Sequence, residues 1–191
     1  MISATRYDKY KNYKWLNLQL LAENIVKPFQ EVVTVKYFTS NITGEKDKLK
    51  RQRTYIEALS TLPKIKIYYG TYQIKKSFDK NIQQHVTYPI EKKSDVNLAC
   101  QLLLDAFKGN FDYAYIISAD SDLLPPMEII KENFPYLTLV ACFPPRRSSS
   151  DIKATTHGIH YIKEKVLSRS QLPLSVTKPD GTVLNKPEEW F

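Results

Sequence analysis

The 191-residue sequence predicts an α/β domain with a mostly parallel sheet. Short β-branched or apolar runs alternate with stretches of helical periodicity, as they do in successive βαβ units. The apolar runs at residues 113–119 and 136–143 lack in–out alternation, which indicates strands buried on both faces. Hydrophobic residues make up 42% of the chain and charged residues 25%, values close to the globular average, so a mainly disordered chain is excluded.

The first half of the chain predicts two helices and two strands. Apolar residues recur every three or four positions in residues 15–26 and 48–62, which is the period of an amphipathic helix. Residues 31–38 are rich in β-branched side chains and residues 64–70 alternate between polar and apolar, so both segments are predicted strands. Residues 71–90 have no clean period and favour either a surface hairpin or a loop.

The second half predicts three helices and three strands. Ser94 is expected to cap a helix in which Val96, Ala99, Leu103 and Ala106 form one apolar stripe. Two prolines at 125–126 suit the first turn of a helix through about residue 133. Serines at 148–150 are expected to cap a helix across 151–158, and a short strand is expected at 159–162, after the buried strands at 113–119 and 136–143.

The chain divides into a predicted α/β domain at residues 1–166 and a C-terminal extension at residues 167–191. The extension contains three prolines and a Pro-Asp-Gly turn signal. It either lies on the domain or acts as a linker.

The sequence favours a cytoplasmic protein without a membrane segment. No stretch approaches the roughly 18 consecutive apolar residues of a membrane span, and residues 1–11 are too polar for a signal peptide. Cys100 and Cys142 lie in apolar surroundings without C-x-x-C spacing, so we expect two buried free thiols.

The positive charge of the chain is concentrated in its first half. Net charge is +8, and residues 1–90 hold 16 Lys and Arg against 7 Asp and Glu, whereas residues 91–165 hold 9 against 10. A basic half beside an acidic centre suits a protein that attracts a polyanion and places a metal ion within it. A merely lysine-rich protein without such a partner remains the alternative.

Three aspartates occupy the ends of predicted elements. Asp120 and Asp122 follow the buried strand at 113–119, at the sheet edge where ligands of open α/β sheets bind. Asp95 opens the preceding helix and is a plausible third ligand. Repulsion between neighbouring carboxylates is offset by a cation, and hard oxygen ligands favour Mg²⁺ or Mn²⁺ over zinc. Individually, each aspartate could instead cap a helix or close a turn.

Basic and aromatic side chains near this edge could bind a nucleic acid. Arg146 and Arg147 follow the strand at 136–143 beside a predicted helix start, where guanidinium and backbone N–H groups favour phosphate. A solvated basic turn is the alternative. Further cations that could bind substrate are Arg51 and Arg53. Tyrosines 55, 68 and 69 could stack on bases, although packing explains most of the 13 tyrosines, and the three histidines show no metal-ligand spacing.

The segment "SADSDLLPPM" resembles the S-G-D-S-D-hydrophobic-x-P signature of NYN domains, relatives of the PIN-like metal-dependent ribonucleases. Further blocks are similar in the same order, among them "RQRTYIEAL", "KIKIYYGTYQ", "KKSDVNLACQLLLDAF" and "CFPPRRSSSDIKATTHGIHYI". The resemblance covers roughly residues 10–191. Alanine stands at position 119, where the signature has glycine.

The resemblance implies a three-layer α/β/α sandwich of the PIN-like, Rossmann-like type. It further implies an endoribonuclease in which Asp95, Asp120 and Asp122 bind Mg²⁺ or Mn²⁺ and a water attacks an RNA phosphodiester. Ser118 and Ser121 would shape the substrate site. The implied partner is RNA.

The front of the chain departs from the family pattern. Family members open with a buried strand that ends in an aspartate followed by D-G-x-N, whereas this chain has "MISATR" before the first similar block. We therefore expect an N-terminally truncated member without the first central strand. The strands at 31–38 and 113–119 should then pair directly or flank an apolar slot, which a homo-oligomer or a partner strand could fill. A catalytically impaired RNA-binding or protein-interaction module of the same fold is the alternative to the nuclease.

Overall fold

A computed structural model describes residues 8–40, 45–79 and 83–190. The described part of the chain contains six α-helices: α1 (Leu18–Ile25), α2 (Lys46–Leu59), α3 (Ser94–Phe107), α4 (Leu124–Asn133), α5 (Ser150–Thr155) and α6 (Glu164–Arg169). It contains eight strands: β1 (Val35–Ser40), β2 (Ile65–Asp79), β3 (Gln84–Lys92), β4 (Tyr113–Ile117), β5 (Thr138–Phe143), β6 (Gly158–Tyr161), β7 (Ser175–Thr177) and β8 (Val183–Asn185). Short 3₁₀ helices cover Asp8–Tyr13, Ser121–Leu123 and Glu188–Trp190.

Two three-stranded sheets form the centre of the fold. In the first, β2 pairs in parallel with β1 and antiparallel with β3. In the second, β5 lies between β4 and β6, and all three strands are parallel. The hairpin of β2 and β3 confirms one of the two alternatives for residues 71–90. The mixed α/β class with parallel strands is confirmed.

Side chains on opposite faces of the strands enter two separate cores. Tyr37 of β1, Ile67 of β2 and Tyr115 of β4 pack into one cluster with Trp15 and Leu21 from the region of α1. On the other face, alternate residues of β4 and β5 pack against α3, α4 and α5; these include Ile116, Leu139, Ala141 and Phe143. Helices therefore cover both faces of the strands, in agreement with a three-layer arrangement.

The first strand is fixed to α3 by a partly buried charge cluster. The ammonium of Lys36 lies 2.6 Å from a carboxylate oxygen of Asp105 and donates to Gln101 Oε1 at 2.9 Å. The side chains of Lys36 and Asp105 are only 15% and 16% exposed. Since water screens such a pair weakly, the cluster holds α3 across the amino half of β1.

Of the two arrangements expected for residues 31–38 and 113–119, direct pairing is not found. Within the described chain, β1 and β4 belong to different sheets, and neither hydrogen-bonds to the other. Both strands contribute side chains to the same core, and the Tyr115 hydroxyl donates to Gln30 Oε1 at 2.7 Å. Side-chain packing thus joins β4 to the segment before β1 where backbone pairing does not.

For α3, the predicted cap at Ser94 and the predicted burial of Val96 and Cys100 are wrong. The residue before the helix is Lys93 in the left-handed conformation, so Ser94 is the first helical residue and not its cap. Leu102 and Ala106 face the core, whereas Val96 is 62% exposed and Cys100 is exposed. Helix positions two apart lie on nearly opposite faces, so burial of Leu102 turns Cys100 outward. Cys142, by contrast, is buried as predicted.

The C-terminal extension lies on the domain and is not a free linker. The Trp15 indole donates to Pro173 O at 2.7 Å, and the ring of Trp190 lies 6.1 Å from that of Trp15. Arg51 Nη1 is 2.6 Å from Glu189 Oε1. Helix α6 spans residue 166, where the boundary between domain and extension was predicted. In the described ranges, no helix is long and apolar enough to cross a membrane.

Candidate active site

Asp120 and Asp122 lie on a tight turn directly after β4, which we call the aspartate turn (residues 118–122). The backbone N–H of Asp120 donates to Ser118 Oγ at 3.1 Å, and that of Asp122 donates to Asp120 Oδ1 at 3.2 Å. Two successive side-chain-to-backbone bonds thus fix the turn. Both carboxylates are exposed, and neither is ion-paired to a lysine or arginine in the part of the chain that the structure describes.

Asp120 can close a turn and bind a cation at the same time. Its Oδ1 atom caps the 3₁₀ helix, as the turn alternative predicted. A carboxylate has two oxygens and about four lone-pair positions, so one weak acceptor role leaves capacity for a cation. The capping bond holds the carboxylate in one orientation at the strand end.

Asp95 lies in the first turn of α3, a helix that contacts the 3₁₀ helix of the aspartate turn. The start of α3 is anchored to the first sheet, since Ser94 Oγ lies 3.2 Å from Ser40 Oγ. The beginning of α3 therefore lies at the carboxyl ends of both sheets.

A preassembled metal site is not present among the described residues. No three His, Cys, Asp or Glu side chains in the described ranges are close enough to hold a metal ion together. The structure brings together Asp120 and Asp122, with Asp95 on the neighbouring helix. The assignment of all three as ligands stays a prediction.

The two arginines after β5 lie on the same side of the second sheet. Arg147 N donates to Pro144 O at 3.1 Å, which closes a turn, and α5 beyond it contacts the 3₁₀ helix of the aspartate turn. Arg146 has a φ of 62°, as unusual for a non-glycine residue as the 74° of Lys93 just before α3. Such backbone outliers concentrate at functional sites, and Lys93 lies two residues before Asp95, whereas a third outlier, Gln83, lies just before β3.

The remaining predicted substrate contacts differ in how far they are engaged within the protein. Ser118 Oγ is used inside the aspartate turn, and Ser121 is exposed in its 3₁₀ helix. Arg51 pairs with Glu189, whereas Arg53 Nε donates to Glu57 Oε1 at 2.8 Å and its side chain is 78% exposed. Arg53 is therefore the more accessible of the two.

The candidate tyrosines separate into packed and exposed residues. Burial raises the pKa of the Tyr55 hydroxyl well above its usual range, and this hydroxyl donates to Leu16 O at 2.7 Å. Tyr68 stacks on Phe38 at 5.1 Å between ring centroids. Tyr69 alone of the three is exposed, at 48%. The cleft that Tyr69 borders with α2 was not predicted, because it forms where residues twenty positions apart meet.

The chain belongs to a class of α/β proteins with acidic residues at the carboxyl edge of a parallel sheet, and comparison with known proteins identifies the family. The family model for the NYN domain matches residues 3–163, so the chain is a member of the NYN domain family, whose members are nuclease-like.

Two further proteins are similar to the chain, one in sequence and one in fold. The chain is 26% identical over 217 residues to a protein named 6-hydroxy-3-succinoylpyridine 3-monooxygenase HspA from Pseudomonas putida (strain DSM 28022 / S16); the match covers 94% of this chain and 69% of that protein. A crystal structure of VPA0982, a protein of unknown function from Vibrio parahaemolyticus RIMD 2210633, has a similar fold, with a TM-score of 0.55 and 13% identity. That match covers 90% of this chain and 88% of the other.

Proposed function

We propose that this protein is an endoribonuclease that hydrolyses RNA phosphodiester bonds with a divalent ion, Mg²⁺ or Mn²⁺. The observation that supports the proposal most is the aspartate turn, in which two exposed carboxylates without a lysine or arginine partner in the described chain follow β4 of a NYN domain. Asp95 at the start of α3 is the proposed third acid. The basic first half of the chain would attract the RNA.

The donor chemistry of these residues fits such an ion. Mg²⁺ prefers oxygen ligands, retains several waters and is commonly held by one or two carboxylates together with substrate phosphates. A complete protein cage is therefore not required, which agrees with the lack of a three-residue cluster in the described chain. The ion would supply a bound water of lowered pKa and charge neutralisation at the phosphate.

The residues of the chain have separate roles in this proposal. Asp120 and Asp122 hold the cation, and Ser118 keeps Asp120 in place through the backbone bond at 3.1 Å. Arg147, exposed on the loop after β5, binds the scissile or adjacent phosphate, to which a guanidinium offers two parallel donors. Ser121 borders the path of the RNA strand.

A non-catalytic RNA-binding or protein-interaction module is the second candidate. The observation that favours it is the absence of a preassembled three-ligand cluster among the described residues. Such a module would bind RNA through the same basic surface without cutting it.

Cleavage of a fluorescent single-stranded RNA by the purified protein tests the proposal. We expect cutting with Mn²⁺ or Mg²⁺ and none with excess EDTA. Asp120→Asn removes a charge that is worth several kcal/mol in such sites, so its rate should fall at least about 100-fold. Asp112→Asn is the matched control, because Asp112 is equally exposed but precedes β4, at the opposite end of the strand.

The outcomes separate the candidates. Equal rates for Asp120→Asn and the wild type would remove the aspartate turn from the chemistry. RNA that is bound but left intact under every metal condition would favour the non-catalytic module.

A further inference from the structure

We propose that a cleft between α2 and the end of β2 binds one nucleobase of a single-stranded RNA. The cleft is lined by Leu49, Gln52, Arg53, Ile56 and Tyr69, and we call it the Tyr69 cleft. The inference rests on the proposed function because it takes RNA as the ligand. It concerns how the strand is held and not how it is cut.

The size of the Tyr69 cleft suits one flat ring. Its volume is about 270 Å³, just below the roughly 300–1,000 Å³ of pockets that enclose a drug-sized ligand. Leu49 and Ile56, one at the rim and one buried, provide apolar walls. A planar base of a single nucleotide can enter such a cleft while its sugar and phosphate stay in water.

The strand period of β2 explains why Tyr69 is available. Ile65 and Ile67 point to the face of the sheet that α1 and α2 cover, and both pack into the core. Tyr69 follows on the same face, because strand side chains repeat every second residue. It lies beyond the core, so its ring is 48% exposed. An aromatic ring in this position offers a stacking surface to any base.

The charge around the cleft favours a nucleic acid over an apolar peptide. The guanidinium of Arg53 adds a cation that can lie against a base, and its side chain is 78% exposed. Helix α2 carries five cations against two acids within its bounds; the cations are Lys46, Lys48, Lys50, Arg51 and Arg53. A ligand whose ring enters the cleft and whose backbone is polyanionic complements both features.

Hydrogen bonds connect the Tyr69 cleft to the candidate active site. Asn97 lies on α3, two residues after Asp95, and its Nδ2 donates to Tyr69 O at 3.1 Å. On the other side, Gln52 Nε2 donates to Ser40 O at 2.7 Å, and the hydroxyl of Ser40 meets that of Ser94. The Tyr69 cleft therefore lies beside the beginning of α3, where Asp95 is located.

Glycine at position 70 allows this close approach. A Cβ atom there would lie 2.5 Å from Ser40 Oγ and 2.6 Å from both Lys92 O and Ser94 Oγ. Two of these atoms belong to short side chains and one to the backbone, so a larger residue would push β2 away from α3. Close packing at Gly70 thus fixes the backbone of β2 beside Tyr69.

Binding of a fluorescein-labelled single-stranded RNA, followed by anisotropy in EDTA, tests the inference without any cleavage. We expect Tyr69→Ala to raise the Kd about 5- to 100-fold, the usual loss when one base-stacking aromatic is removed. Tyr69→Trp, which keeps a stacking ring, should bind within about threefold of the wild type. Tyr136→Ala is the control, because Tyr136 is 71% exposed but lies before β5.

A second oligonucleotide with abasic positions separates stacking from charge. Tyr69→Ala and the wild type should bind it equally, since no base is present to enter the cleft. An unchanged Kd of Tyr69→Ala for intact RNA would overturn the inference, and so would an equal loss for abasic RNA. Because binding is measured without metal, failure of cleavage in the separate assay would not affect this result.

Discussion

The second sheet is entirely parallel with a well-covered central strand, whereas the first sheet extends into a long antiparallel hairpin. In β5, the side chains of Leu139, Ala141, Cys142 and Phe143 are fully buried. In β2, side chains beyond the core, such as those of Tyr69 and Phe78, are about half exposed. Side chains of the first sheet are thus accessible from solvent, whereas the central strand of the second sheet is closely covered.

The regions that contain the two sheets also differ in net charge. Residues 35–92 hold 12 Lys and Arg against 5 Asp and Glu, whereas residues 113–161 hold 4 against 5. A basic surface binds a polyanion, and a neutral, well-packed strand end can fix carboxylates in place. Under the proposed function, this comparison assigns the holding of RNA to the first sheet and the chemistry to the second.

The largest effect is expected from cavities in the second core. Leu139→Ala should lower the free energy of unfolding by about 2–5 kcal/mol, because Leu139 is fully buried in β5. Ile67→Ala in β2 should cost less, since Ile67 is only partly buried. Urea unfolding of both variants measures the difference. Equal losses would contradict the contrast in rigidity between the sheets.

The division of roles predicts different kinetic effects for two exposed arginines. Arg147→Ala should lower the cleavage rate at saturating RNA about tenfold or more, because its proposed partner is the phosphate that reacts. Arg53→Ala should raise the KM and leave the rate at saturation nearly unchanged, as expected for binding that is equal in ground and transition states. Steady-state cleavage of single-stranded RNA measures both constants. A lowered saturating rate for Arg53→Ala alone would reverse the proposed roles.

The sequence predicted the second sheet better than the first. The runs at 113–119 and 136–143 are continuous and apolar, so burial on both faces could be read from composition and the aspartates could be placed at a strand end. Where the structure describes side chains of the hairpin of β2 and β3 beyond residue 70, most are exposed, and the sequence there has no clean period, which left a loop as an alternative. Gln30 and Tyr115 meet across 85 residues, a contact that no local pattern indicates.

The same distinction holds within the candidate site. Asp120 and Asp122 were predicted from their position after a strand, whereas the hydroxyl of Ser94 was assigned to a cap because its partner Ser40 is distant in sequence. Val96 of the predicted apolar stripe on α3 is exposed, whereas Leu103 and Ala106 of that stripe pack into the core that covers β4 and β5. Tyr69 was noted as one of three possible stacking residues, but only the fold separates it from Tyr55 and Tyr68.

The two cysteines provide a smaller test of the packing around β5. Burial raises the pKa of the Cys142 thiol to about 12, so at pH 8 it remains protonated and shielded, whereas Cys100 is exposed on α3. We expect one thiol per chain to react with a chromogenic disulfide reagent in native buffer and two in denaturant. Cys100→Ser should abolish the native reaction. Rapid reaction of both native thiols would show that β5 is not tightly covered.

The smallest effect is expected for His160 in β6. Burial, and secondarily the charge of Lys163, lowers the pKa of His160, whose Nε2 atom is buried without a partner in the described chain. The unfolded chain, with a pKa of about 6.5, then binds protons more readily than the folded one, so stability is fully present above that pH and falls as the pH drops. Thermal unfolding between pH 7.5 and about pH 5 should show a smaller decrease for His160→Gln than for the wild type. His85→Gln, at an exposed position in β3, is the control and should behave like the wild type.

The location of bound Mn²⁺ in crystals of the protein tests the central proposal most directly. Anomalous scattering identifies the ion independently of any activity. We predict one peak within coordination distance, about 2–2.5 Å, of carboxylate oxygens of Asp120 or Asp122, with Asp95 facing it directly or through a water. A peak at another group of side chains, or no peak at saturating Mn²⁺, would contradict the assignment of the aspartate turn as the metal site.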